Sequence, residues 1–184
     1  DFDSPVKLFE HLLIGSEGTL AFIAEAVFRT VPISKLTTTT VAVFDDLTAA
    51  TKSLPALLDT GAATLELMDS ASIRVGQGFD KIPQAITGFD VDKQAALLIE
   101  YHADAEEELR EKEGKGSQLL RELPLQSPAA FSADAASRNT AWSFRKGLYA
   151  QVAEARPSGT TALLEDIVVP VGDLADTCSS LQEL

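Results

Sequence analysis

The 184 residues are 45% hydrophobic and carry a formal charge of −13, which is apolar material enough for a folded core and a charge that repels a phosphate backbone. With no Lys/Arg cluster to offset that charge, nucleic acid is excluded as a partner. A single cysteine, Cys178, rules out an internal disulfide and a cysteine-built metal site, and with neither a membrane-length apolar run nor a signal-peptide pattern, cytoplasm is the default compartment.

In chain order, Pro5 followed by apolar positions predicts a short helix over 6–13. Gly15-Ser16-Glu17-Gly18-Thr19-Leu20 then makes a tight turn into an apolar strand over 20–31. Bare backbone N–H groups beside two glycines can approach a phosphate or flavin-type ligand; the competing reading is an ordinary helix cap and turn. Residues 32–35 form a linker, and the β-branched run 37–44 predicts a strand that ends at Asp45-Asp46.

Leu47, Ala50, Leu54, Leu57 and Leu58 recur at helical spacing over 46–60, with Gly61 as C-cap. A strand over 63–68 and a short helix over 69–75 follow, then an irregular excursion marked by Gly76, Gly78, Pro83 and Gly88, and a strand over 95–101. In the charged helix over 103–123, Glu106–Arg110, Glu108–Lys112 and Glu111–Lys115 are spaced by four with the acid first, which is a solvated face rather than a binding patch. A strand over 125–131, a helix over 134–153, a strand over 161–169 and a last helix from 173 complete the pattern. This order predicts an α+β fold, an antiparallel ferredoxin-like sheet with helices on one face.

Arg145 is the strongest candidate for chemistry. On the 134–153 helix, Ala141, Phe144, Leu148 and Val152 form the apolar face, and Trp142, Arg145 and Tyr149 lie along its border. A guanidinium there suits a bidentate grip on a carboxylate; equally, it could pair with a local acid and stack on Trp142. Glu165 and Asp166 interrupt an apolar strand, so at least one faces covered space and needs a partner, with Arg145 or Arg156 able to supply it. His11 and His102 have no metal-ligand spacing around them and are expected to be surface or packing histidines. No nucleophile–histidine–acid constellation is present, so no residue is assigned as catalytic and no metal is expected.

Gly15-Ser16-Glu17-Gly18-Thr19-Leu20, followed by the apolar strand and Val31-Pro32, resembles the end of the FAD-binding domain in vanillyl-alcohol-oxidase-type flavoproteins. More narrowly it is similar to the D-lactate and D-2-hydroxyglutarate dehydrogenase branch. Downstream, Trp142-Ser143-Phe144-Arg145 resembles the family's Trp-x-x-Arg helix, and Leu164-Glu165-Asp166-Ile167-Val168-Val169-Pro170 its Glu-Asp-hydrophobic-Pro strand. The resemblance implies that residues 1–32 end a FAD-binding domain and that 33–184 form a substrate cap, incomplete at its C-terminus. It further implies that Gly15, Ser16, Glu17, Gly18, Thr19 and Ile23 contact FAD, and that Arg145 holds a substrate carboxylate.

Some relatives carry a threonine four residues after that arginine and a lysine on the next strand. Tyr149 and Leu164 stand there instead, which turns the expectation away from a dicarboxylate substrate. The implied parent oxidises a D-2-hydroxy acid such as D-lactate by hydride transfer to FAD and passes the electrons to an acceptor, in some relatives after loose membrane association. The family's pyrophosphate loop and histidine motif are expected before Asp1 and after Leu184, so the chain by itself is expected neither to retain FAD nor to turn over substrate. The alternative from another class is a non-catalytic ligand-binding or regulatory module on a ferredoxin-like scaffold.

Overall fold

In the computed structural model, residues 2–154, 156–160 and 167–182 are described, and the chain divides into two compact units, Asp1–Ile33 and Ser34–Leu184. In the first unit, Ser4 caps α1 (Pro5–Gly15) by accepting from the Lys7 backbone N–H, with Pro5 opening the first turn. No residue of α1 is buried. The strand expected over 20–31 is not formed. Its residues carry no regular secondary structure and no ladder partner among the described residues, and Phe22, Val27 and Val31 stand exposed. Apolar alternation makes a strand only where another strand accepts its hydrogen bonds.

The second unit is built on an antiparallel sheet in which β3 (Ala95–Ala103) lies between β1 (Leu36–Phe44) and β2 (Thr64–Met68). Register pairs Thr39, Val41 and Val43 of β1 with Glu100, Leu98 and Ala96, and pairs Thr64, Glu66 and Met68 of β2 with the same three residues. Side chains alternate between faces, so these nine residues share one side of the sheet. The two-residue period then places Ala95, Leu97, Ile99 and Tyr101 on the other.

That other side packs on α2 (Leu47–Asp59) and α4 (Glu106–Glu122) through Leu54, Leu57 and Leu120. Gly116 of α4 permits the close approach: a Cβ there would lie 2.1 Å from the Tyr101 hydroxyl oxygen. The first side packs on α3 (Ser70–Gly76) and α5 (Ala135–Glu154) through Ile73, Ala141, Phe144 and Leu148. The α+β class and the antiparallel sheet are as expected, while helices cover both faces rather than one. The physical reason is β3, which is apolar at nearly every position and therefore buried on both sides.

Asp46, Asp69 and Asp134 cap α2, α3 and α5 through the backbone N–H groups of Ala49, Ser72 and Ser137. All three spaced pairs on α4 form, at 2.6, 2.7 and 2.6 Å. The strand expected over 125–131 reduces to isolated bridges, Phe44 with Leu125 and Thr39 with Ser132. Most of the strand expected over 161–169 lies outside the described residues, and 167–169 are not in a strand. A 3-10 turn, Val171–Asp173, leads into α6 (Leu174–Gln182).

Candidate functional site

The α5 helix brings three polar side chains to the sheet at positions i, i+4 and i+7, namely Arg138, Trp142 and Arg145, which therefore form one stripe. Opposite them stand two acids on adjacent strands. Glu66 of β2 forms an ion pair with an Arg145 terminal nitrogen at 3.0 Å, with about a third of each side chain exposed. The Arg145 Nε is buried and has no hydrogen-bond partner among the described residues. Pairing with a local acid thus occurs, through Glu66; the stack on Trp142 is made instead by Lys146, whose Nζ lies 5.5 Å from the ring centre.

Glu100 of β3 is 1% exposed. Its Oε2 accepts from Thr39 Oγ1, Arg138 Nε and Trp142 Nε1, each at 2.7 Å. Its Oε1 accepts from Arg138 at 3.1 Å and faces His102 Nε2 at 2.9 Å. Burial by itself raises a carboxyl's pKa, but the hydrogen bonds from Arg138, His102, Thr39 and Trp142 outweigh it and hold Glu100 down to about 2. The carboxylate is ionised and saturated. It has no lone pair to spare for a further ligand.

Sequence reasoning passed over Glu66, Glu100 and Arg138. The signal for Glu100 was present: one acid in the apolar run 95–101 is the same anomaly that drew attention to Glu165 and Asp166, which lie outside the described residues, as does Leu164. Of the expected apolar face, Ala141, Phe144 and Leu148 are buried and Val152 is 39% exposed. The difference is one of position: Val152 lies one turn beyond Leu148, the last buried residue of α5. Tyr149 points largely to solvent, at 51% exposure. His11 bonds locally, its Nδ1–H donating to the Lys7 carbonyl at 2.8 Å.

In the first unit, the Gly15–Thr19 turn is closed by the Thr19 N–H on the Ser16 carbonyl at 2.9 Å, with Glu17 at φ 49° and Gly18 at φ 81°. Positive φ at Gly18 reverses the chain with no Cβ in the way, and nothing lies within 4 Å of where a Cβ would sit at Gly15 or Gly18. Residues 18–23, which include Thr19 and Ile23, line a shallow hollow of about 460 Å³. Exposed main chain at two glycines, with an apolar side chain beside it, fits a flat aromatic ring system or its phosphates.

In the second unit a pocket of about 850 Å³ is bordered by β1 and α5, where Thr39, Gln84, Ser132, Ser137 and Thr140 contribute polar groups. No helix among the described residues is long and apolar enough to cross a membrane.

Residues 33–184 match the family described as FAD linked oxidases, C-terminal domain. Over 181 residues the chain is 26% identical to the glycolate oxidase subunit GlcD of Bacillus subtilis (strain 168), covering 94% of this chain and 35% of that protein. It is 25% identical over 166 residues to a probable mitochondrial D-lactate dehydrogenase of Danio rerio, covering 89% of this chain and 31% of that one. The chain spans about a third of the length of the curated relatives it matches.

Proposed function

Because this chain belongs to the FAD linked oxidases, matching their C-terminal domain, we propose that it is the substrate-side part of a flavoprotein that oxidises a 2-hydroxy acid, D-lactate being the expected example. On this reading residues 33–184 form the cap over the substrate and 1–32 end the FAD-binding domain. FAD, when bound, supplies the hydride acceptor. Gly15, Ser16, Glu17, Gly18 and Thr19 meet the cofactor through main chain, and Ile23 packs against it. The role of Arg145 is to bind and orient the substrate carboxylate. The part taken by this chain is orientation of the substrate, and turnover belongs to the full-length flavoprotein.

One observation carries the Arg145 assignment. Glu66 lies beside one terminal nitrogen only, and about a third of the side chain is open to solvent. A carboxylate arriving there gains charge-assisted hydrogen bonds from a guanidinium already held in place. Glu66 tempers the cation, so a singly charged acid is preferred to a dicarboxylate. Tyr149, standing one turn further along α5, supports the same preference because it offers no cation for a second carboxylate.

The test uses the full-length flavoprotein and a panel of D-2-hydroxy acids. Arg145→Ala raises KM for the best substrate roughly 100-fold, the equivalent of ~3 kcal/mol for a lost charge-assisted pair, with FAD content unchanged. An unchanged KM, or loss of flavin, overturns the assignment.

A further inference from the structure

We infer that Glu100 is a positioning residue for Arg145, setting the rotation of α5 over the sheet through Arg138 and Trp142. The inference rests on Arg145 as the carboxylate site.

A carboxylate taken out of water costs several kcal/mol unless its partners replace the lost hydration. Glu100 meets that condition with five contacts, three of them from α5. The apolar seat of α5, made by Ala141, Phe144 and Leu148, holds the helix down, but apolar contact is non-directional and tolerates rotation. Directional hydrogen bonds from two side chains one turn apart do not. Arg138 and Trp142 therefore fix the angle of the helix, and Arg145, three residues on, inherits it. Register adds the second half: Thr64 sits opposite Glu100, and Glu66 lies two residues further along the same strand and on the same face. Each acid thus meets its own stretch of one stripe, and the Glu66–Arg145 pair closes only where the Glu100 contacts have placed α5. With both oxygens saturated, Glu100 acts on the substrate only through other residues.

The experiment is a double-variant cycle in the full-length flavoprotein with D-lactate or the best acid from the panel. Glu100→Gln keeps the shape and removes the charge that holds Arg138. It raises KM about 10-fold, leaves kcat within about twofold and FAD content intact, and adds nothing to the KM of Arg145→Ala when the two are combined. Additive effects, an unchanged KM, or a fall in kcat alone overturns the inference. An unaffected Glu100→Gln beside a damaged Arg145→Ala overturns this inference and leaves the carboxylate assignment standing. An Arg145→Ala variant with unchanged KM overturns both. Should Glu100→Gln fail to fold, Trp142→Phe keeps a ring in place while removing one hydrogen bond; it gives about a threefold rise and the same non-additivity.

Discussion

On the α2/α4 side of the sheet, Ala42, Phe44, Leu97, Ile99 and Tyr101 meet Leu54, Leu57 and Leu120, and among these the one side-chain hydrogen bond is from Tyr101 to Thr60. On the α3/α5 side the same strands present Thr39, Glu66, Glu100 and His102 beside their apolar residues, and α5 answers with Arg138, Trp142 and Arg145. The first side is the fold's reservoir of burial energy. The second spends part of that energy holding the Glu100 carboxylate out of water, which an apolar layer of the same volume would avoid. What it gains is direction, since a guanidinium on a carboxylate has one geometry and a leucine in a groove has several.

That contrast breaks if a variant on the apolar side alters substrate affinity. Phe44 is fully buried, and Phe44→Ala costs ~3–5 kcal/mol of stability through lost burial and the cavity left behind. Denaturant unfolding of the full-length flavoprotein reads the loss, and KM, measured where the variant remains folded, stays at the parent value. A changed KM would show the two sides to be coupled.

Acid sharpens the contrast from the other side. Unfolded, Glu100 takes up a proton near the ordinary 4.5; folded, only at about 2. Its folded pKa is depressed, so its contribution is complete above about pH 4.5 and is lost as pH falls from there through about 2. The 2.5-unit difference amounts to roughly 3 kcal/mol. Stability followed against pH falls across that window in the parent and is flatter in Glu100→Gln, whereas Phe44→Ala keeps the parent's slope. An equal slope in Glu100→Gln would assign the acid sensitivity to other carboxyls.

The smallest effect belongs to the Tyr101–Thr60 pair on the apolar side. Thr60 Oγ1 donates to the Leu57 carbonyl, so Tyr101 is the donor to Thr60, at 2.6 Å. Tyr101→Phe removes one neutral hydrogen bond and leaves Thr60 its other, at a cost of about 1 kcal/mol. Thermal unfolding resolves that difference, and a loss several times larger would mean that the apolar side also depends on its polar contacts.

Much of this was legible in the chain. The helical spacing of Leu47, Ala50, Leu54 and Leu57, the aspartates that open α2, α3 and α5, and the acid-first pairs of α4 are local signals, and each of these three corresponds to a feature of the structure. The strand over 20–31 failed because its signal is local while its ladder is not. Helices on both sheet faces were missed although the unbroken apolar run 95–99 announces a strand covered twice. Arg145 was found by its neighbours on the helix. Its partner Glu66 was not, since 79 positions separate the two and nothing in the sequence measures that distance.

By itself, then, the sequence determined where helices begin and end, which faces are apolar, and that an arginine sits on the border of one, because caps and periodicity act over a few residues. Only the tertiary structure decided which acids meet which cations: Glu100 with Arg138 and Trp142, Glu66 with Arg145. Strand register and the placement of α5 are set by packing across the whole sheet, and a charge pair between residues far apart in the chain exists only once that packing has brought its two halves together.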